Sequence, residues 1–246
     1  MLEVGERVVM ISGANRGLGL ATAERLHGEG YRLSLGVRDP ADPALDRLRG
    51  DERVLIQQYD ALETAAPRRW TEATLDRFGR LDALVNNAAI ATLVDIEIEP
   101  DVGEEEQEAR FEEMMTVNVR APLRLIRAGF PHLKACGAGR VVNIASLSAK
   151  RVLNTKVGYP MTKHALLAMT HAVRRAGWAH GVRATVLCPG YIRTRLAVGP
   201  AHVTGTRPED MTTPEDLAQV VAMLLRLPNT AAIAELLLNN RMEDLF

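Results

Sequence analysis

A chain of 246 residues, 47% apolar and 25% charged, has an ordinary globular composition and is long enough for one sizeable α/β core. A formal net charge of −1 and only 4% aromatic residues exclude a general attraction for nucleic acid or anionic membrane and a stacking platform for single strands. Cys136 and Cys188 stand alone with no metal-ligand spacing, no apolar run is long enough to span a bilayer, and Glu3 and Glu6 stand where a signal peptide would be basic and then apolar. The expectation is a cytoplasmic protein with no metal and no nucleic-acid or membrane partner.

Residues 7–12 (Arg-Val-Val-Met-Ile-Ser) read as a fully buried strand, followed by Gly13-Ala14-Asn15-Arg16-Gly17-Leu18-Gly19 and an amphipathic helix over 20–29. A strand, a glycine-rich turn and a helix form the setting for phosphate binding. Glycines let the backbone approach an anion, and the helix N-terminus offers unpaired N–H groups and a positive dipole end. The spacing is Gly-x-x-x-Gly-x-Gly rather than Gly-x-Gly-x-x-Gly, so a merely tight turn is the competing reading.

Further strands are expected over 31–37, 53–59 and 81–85, with a helix over 64–78 and Asn86-Asn87-Ala88-Ala89 after the fourth strand. Strands and helices alternating at this pace imply right-handed crossovers and a parallel sheet, that is, a doubly wound α/β fold in one domain over 1–246. Residues 95–99 alternate like a short exposed strand, and Glu104-Glu105-Glu106 suit a solvated helix start. A long helix is expected to about Arg127, with a further turn or two up to Lys134, then a fifth strand over 139–146 and a helix to about His180. A sixth strand (182–188) ends in Pro189-Gly190. Residues 191–210, irregular and rich in Gly, Pro and Thr, suit a lid. Thr213-Pro214-Glu215-Asp216 starts the last helix, and 235–239 suit a final strand.

The stretch Gly158-Tyr159-Pro160-Met161-Thr162-Lys163-His164-Ala165 carries the chemistry. On a helix Tyr159 and Lys163 share a face one turn apart. A free phenol titrates near pH ~10, and an ammonium group beside it favours the phenolate and brings it toward the working range. A surface helix with a chance Tyr/Lys pair is the alternative, and it loses only if the rest of the chain supplies a matching serine and a nucleotide site.

Gly13/Gly17/Gly19, Asn86-Asn87-Ala88, Asn118, Ser146, Tyr159-x-x-x-Lys163 and Pro189-Gly190 occur in an order that resembles the short-chain dehydrogenase/reductase family over nearly the whole chain. The resemblance implies an oxidoreductase that interconverts an alcohol and a carbonyl with a nicotinamide cofactor. Tyr159 would be the acid/base, Lys163 would lower its pKa and hold the nicotinamide ribose, and Ser146 would hydrogen-bond the reacting oxygen. Asn118 would keep a water chain to the lysine. Ser148, also nearby, is closer to Tyr159 in sequence than the family's spacing. Cofactor binding would fall to Gly13, Asn15, Arg16, Gly17, Leu18, Gly19, Arg38, Asp60 (under the adenine amino group), Ala61, Asn87, Ala88, Tyr159, Lys163, Pro189, Gly190, Ile192 and Thr194 (at the carboxamide). The family's spacing puts Val37 where an NAD site carries an acid, and Arg38 next to it suits a 2′-phosphate, with Arg16 on the other side. NADP(H) is therefore expected over NAD(H), with Asp39 as the complication. Pairing into a homodimer or homotetramer, through the Tyr159 helix and the long helix carrying residues 110–127, is also implied. Ala165, Ala168, Ala172 and Ala176 form a stripe whose direction the sequence leaves open.

Ser12 stands where the family usually has Thr, Ala89 where it has Gly, and Leu238-Asn239-Asn240-Arg241-Met242 where many members have Asp-Gly-Gly. None of these removes a catalytic group. Two other functions share the fold: an inactive dinucleotide-binding sensor or scaffold, which can do without Tyr, Lys and Ser, and an epimerase or dehydratase, which usually needs a larger C-terminal substrate domain. The small-molecule substrate is expected to touch residues 149–154, 88–93 and the segment after Tyr191. Lys150 and Arg151 admit an anionic substrate or, more plainly, a solvated basic loop.

Overall fold

Apolar runs too short to be helices become strands. Val8–Ser12 (β1), Arg32–Val37 (β2), Val54–Gln58 (β3), Ala83–Asn86 (β4), Arg140–Ile144 (β5), Arg183–Pro189 (β6) and Glu235–Leu238 (β7) pair in parallel in the order β3-β2-β1-β4-β5-β6-β7. The computed structural model describes residues 1–98, 102–194, 196 and 206–242. β1, β4 and β5 are buried along their whole length, as central strands covered on both faces must be, whereas the edge strands β3 and β7 are half-buried.

Alternate side chains point to opposite faces, and each face has its own core. Val9, Ile11, Leu33, Leu35, Val85 and Val142 meet Leu18 and Leu26 of Gly17–Gly28 (α1) and Leu217 and Val221 of Pro214–Arg226 (α6). Met10, Leu84 and Val141 meet Trp70 of Ala66–Phe78 (α2), Leu125 of Ala121–Ala135 (α4) and Val173 of Gly158–Gly177 (α5). Trp70 is fully buried, its indole N–H donates to Ser34 Oγ at 2.8 Å, and its ring fills the space that a side chain on Gly36 would need.

The helix expected to run on to residue 127 and up to 134 is present, helical from 104 to 135, but it carries a π turn over Thr116–Arg120 between Glu104–Met115 (α3) and α4. Pro122 explains the altered turn, since it has no N–H to offer the carbonyl of Asn118 and its ring would crowd that carbonyl. One expectation is corrected. Residues 95–98 form no strand; Asp95 makes a single antiparallel bridge with Lys156, and Glu99 lies outside the described residues. Half of the segment expected as a lid, residue 195 and residues 197–205, also lies outside them. Among the described residues no helix is long and apolar enough to cross a membrane.

The register aligns the C-terminal ends of the central strands. Ile11 lies opposite Val85, Asn86 opposite Asn143, and Ile144 opposite Leu187. Strand order reverses between β1 and β4, because β1 leads on to β2 on one side while β4 leads to β5 on the other. A crevice outside the carboxyl ends of the strands, at that switch point, is where such sheets bind ligands.

Candidate active site

A cavity of about 1020 Å³ opens at this switch point. Its first wall is the glycine turn. Gly13 and Gly17 have φ of +68° and +51°, which favour glycine, and a Cβ on Gly19 would lie 2.1 Å from the Gly13 carbonyl oxygen. Gly19 therefore sits behind the wall, while Gly13, Asn15, Arg16, Gly17 and Leu18 line it. The N-terminus of α1 has no side-chain cap, so its N–H groups are left to face the cavity. Ser12 keeps the role open to a hydroxyl: its Oγ accepts from the N–H groups of Asn87 and Ala88 at 3.0 and 3.1 Å. The Asn87 amide donates back to the carbonyls of Ser12 and Gly13, fixing the turn against the end of β4. Backbone room and unspent N–H donors are what a dinucleotide diphosphate requires, and the residues fit such a group.

The second wall follows β2 and β3. Val37 ends β2 and is 2% exposed, and Arg38, exposed beside it, lines the cavity with Arg16, Asp60 and Ala61. Asp39 does not line it; its Oδ1 accepts from Ala41 N–H at 2.9 Å inside its own turn. Asp42 does, and sequence reasoning missed it. Its carboxylate accepts from Asn15 Nδ2 at 2.7 Å and from Ala44 N–H at 2.9 Å. The available signal was Asp42-Pro43, an N-cap followed by proline, at the head of a 3₁₀ turn.

The third wall brings together Ser146, Tyr159 and Lys163. Ser146 follows β5 and caps a 3₁₀ turn, Leu147–Ala149, by accepting from Ser148 N–H at 3.1 Å. Tyr159 and Lys163 lie one turn apart on α5, with the ammonium 5.4 Å from the phenol ring centroid. Lys163 is 3% exposed and donates to the Ile144 carbonyl at 2.9 Å. Burial brings its pKa down from 10.5 to about 8. Burial also pushes the Tyr159 phenol up, and the hydrogen bond with Ser146 opposes that rise. This differs from the expectation of a phenol already brought down by Lys163. Desolvation is the larger cause, and the group that opposes it is Ser146.

Asn118 does not reach the wall. It is buried behind it, accepting from Ile90 N–H at 2.9 Å and donating to the Ile90 carbonyl at 2.8 Å and to Thr162 Oγ1 at 3.2 Å. It thus ties the chain after β4 to the residue preceding Lys163. Pro189, at the end of β6, and Gly190, Ile192 and Thr194 after it line the cavity, and a Cβ on Gly17 would lie 3.1 Å from Thr194 Cγ2. The departure at the C-terminal end has a structural outcome: Asn240 accepts from Tyr191 N–H at 3.3 Å and donates to the Asp210 carbonyl at 3.0 Å, holding both ends of that segment.

Ala88 to Val94 also line the cavity, as do Arg151, Leu153, Asn154, Lys156 and Glu113. Lys150 is not among them, because its ammonium pairs with Glu235 at 2.5 Å, a carboxylate shared with His171 at 2.7 Å.

Residues 7–201 match the family model described as short chain dehydrogenase. The chain is 38% identical over 228 residues to an agropine synthesis reductase of Rhizobium rhizogenes, covering 92% of this chain and 50% of that protein. It thus spans about half the length of that relative. Among solved structures, an alcohol dehydrogenase from the archaeon Thermococcus sibiricus, complexed with 5-hydroxy-NADP, superposes with a TM-score of 0.81 at 29% identity, covering 96% of this chain and 99% of that one. A 3-ketoacyl-(acyl-carrier-protein) reductase from Brucella melitensis, complexed with NADH, gives 0.81 at 26% identity, with 96% and 98% covered.

Proposed function

The chain belongs to the short-chain dehydrogenase/reductase family, and from that premise we propose that it is an NADP(H)-dependent oxidoreductase that interconverts an alcohol and a carbonyl. One observation carries the reading: Ser146, Tyr159 and Lys163 converge on a cavity that also holds the glycine turn and the uncapped start of α1. A bound nicotinamide cofactor would supply or take the hydride. The N–H groups of the glycine turn and α1 would hold its diphosphate, and Lys163 its ribose. In the reducing direction the Tyr159 phenol gives its proton to the carbonyl oxygen while Ser146 donates a hydrogen bond to that oxygen. Hydride at carbon and proton at oxygen make the alcohol. Lys163, as a cation beside the phenol, stabilises the phenolate that remains. Asn118, through Thr162 and Ile90, holds the helix that presents both groups.

The preference for NADP(H) is supported by the wall at the end of β2. Val37 has no group to accept a ribose hydroxyl, Arg38 and Arg16 are exposed on the cavity, and the Asp39 carboxylate is turned into its own loop. The two solved relatives carry different nicotinamide dinucleotides, so the choice rests on these residues. Self-association is supported by α5, where Ala168, Ala172, Ala176 and Met161 are exposed on the face turned away from the sheet. A cytosolic location is part of the same proposal.

The test is cofactor oxidation, followed spectrophotometrically, across a panel of aldehydes and ketones. Consumption of NADPH that depends on a carbonyl compound is expected. Tight cofactor binding with no turnover of any carbonyl would favour the sensor reading.

A further inference from the structure

We propose that Gln107 is a positioning residue for the reaction: its side-chain amide holds residues 94–97 against the start of α5 and so sets the cavity wall beside Tyr159. The inference rests on the oxidoreductase reading above. Gln107 lies near the start of α3 and is 3% exposed, although residues 104–106 before it and 108–109 after it are all exposed. A glutamine buried this far needs partners for both ends of its amide. One stretch of chain supplies them. Gln107 Oε1 accepts from Asp95 N–H at 3.0 Å, and its Nε2 donates to the Glu97 carbonyl at 3.3 Å.

On its other side the same stretch is bound to the residues that lead into α5. The Val94 carbonyl accepts from Val157 and Gly158 N–H at 2.9 and 3.3 Å, and Ile96 N–H donates to the Thr155 carbonyl at 3.2 Å. Thr155 Oγ1 donates to the Asp95 carboxylate at 3.0 Å. The approach is close: a Cβ on Gly158 would stand 2.8 Å from Val94 Cβ and 3.0 Å from Met114 Cε. Gln107 and Met114 are the buried residues of α3 and, seven apart, share one face of it. That face presses residues 94–97 onto Gly158, the neighbour of Tyr159. Val94 lines the cavity together with Tyr159, as do Thr92 and Leu93 before it.

Asn118 treats the other end of this wall in the same way, bracketing the N–H and the carbonyl of Ile90 at 2.9 and 2.8 Å. The cavity-lining residues from Ile90 to Val94 are thus held between two buried amides, one from α3 and one from the π turn that continues it. Asp95 makes only an isolated bridge, so these few bonds fix the segment in place of a sheet ladder. A segment held by few bonds opens locally at little cost, and loss of two of them is felt there before it is felt in the whole fold.

Gln107→Met keeps the length of the side chain and removes both hydrogen bonds. Kinetics are read with NADPH and the carbonyl of the aldehyde and ketone panel that wild type turns over best. KM for that carbonyl is expected to rise at least ~10-fold, the size of one net hydrogen bond, while kcat and NADPH affinity stay within about twofold. A merely structural role would thin the folded population instead, lowering apparent kcat and leaving KM alone. Thr155→Val cuts the tie to Asp95 from an exposed position, so it tests the same wall if the Gln107 variant does not fold. It should raise KM in the same direction, by less. Amide hydrogen exchange is followed in the same proteins. Faster exchange is expected at 94–97 and 155–158, with the glycine turn unchanged. An active wild type whose KM is the same in both variants would overturn the assignment and leave the oxidoreductase reading standing. A wild type that turns over no carbonyl would remove that reading, and faster exchange confined to 94–97 and 155–158 would still support Gln107 as the holder of the wall. Unchanged exchange there would overturn the proposal in either case.

Discussion

Lys163 Nζ donates a 2.9 Å hydrogen bond to the carbonyl oxygen of Ile144, the last residue of β5. The ammonium is thereby fixed at the cavity wall, one turn from Tyr159, in a place where water reaches it little. Its anchor is the sheet rather than the phenol, while the helix spacing of α5 sets the separation between the two groups.

This geometry predicts an unusual dependence of stability on pH. Burial lowers the Lys163 pKa from 10.5 to about 8, so between those values the unfolded chain holds a proton that the folded protein has released. Stability then rises with pH, the reverse of a lysine that gains a partner. The full effect is on the order of 3 kcal/mol, at about 1.4 kcal/mol per pKa unit. Above pH ~10 buried tyrosines act the other way: Tyr31 is pushed up to about 12, so its proton is kept by the folded protein and lost by the unfolded chain. Urea midpoints of wild type and Lys163→Met, compared from pH ~7.5 to ~10, should converge or cross in favour of wild type as pH rises. A difference that stays flat would show that Lys163 titrates in its ordinary range.

Tyr159→Phe keeps the ring and removes the proton donor. Turnover is expected to fall ~10²–10⁴-fold, the usual loss for a positioned acid, with cofactor affinity nearly unchanged. Single-turnover reduction beside a cofactor titration separates the two. Wild-type rates in the variant would remove Tyr159 from the reaction.

Gly19→Ala probes the turn from the other side. Its Cβ would stand 2.1 Å from the Gly13 oxygen and 2.5 Å from Asn87 Nδ2, so the turn or the start of α1 must shift. Overpacking of this kind costs ~1–3 kcal/mol, and it falls where the diphosphate is proposed to bind. Dinucleotide affinity should drop by at least ~10-fold while far-ultraviolet dichroism is kept. Unchanged affinity would mean that the turn does not hold the diphosphate.

Much of this was readable in the sequence because it is local. Gly13, Gly17 and Gly19 lie within one turn, and Tyr159 and Lys163 within one turn of helix, so spacing alone sets their relation. What escaped reading joins distant parts of the chain. Asp42 meets Asn15 across 27 residues, Asn118 meets Ile90 across 28, and Lys150 meets Glu235 across 85. No periodicity encodes such pairs. The π turn was legible only in part: Pro122 marks a missing helix hydrogen bond, but the use of Asn118 behind the wall depends on where Ile90 and Thr162 come to lie. The direction of the alanine stripe likewise needed the sheet, which takes Leu166, Thr170 and Val173 and leaves Ala168 and Ala172 outside.

That outward face gives a prediction about assembly. Light scattering at micromolar concentration should report a dimer or tetramer, and Ala172→Arg, placing a charge amid small exposed side chains, should lower the mass. A monomeric wild type would sink the pairing through α5.

Cofactor choice depends on three charged groups around the adenosine end. Arg38 and Arg16 favour a 2′-phosphate, which carries roughly −1.5 to −2 charge, and one or two charge-assisted contacts give about 10- to several-hundredfold preference. Asp39 is removed from the contest by its bond to Ala41 N–H. Asp42 takes its place as the opposing charge, since it lines the same wall with Asn15 and Ala44 as its hydrogen-bond donors. Those donors occupy both carboxylate oxygens and turn part of the charge away from an incoming phosphate, so the arginines are expected to prevail. Wild type should bind NADPH more tightly than NADH, and Asp42→Asn should widen the gap by removing the residual repulsion. Val37→Asp/Arg38→Ala should reverse the order, because it restores an acid at the end of β2 and deletes the cation beside it. Fluorescence titration of both cofactors into the three proteins decides the matter. Tighter binding of NADH by wild type, relieved in Asp42→Asn, would show that Asp42 rather than Arg38 governs the pocket.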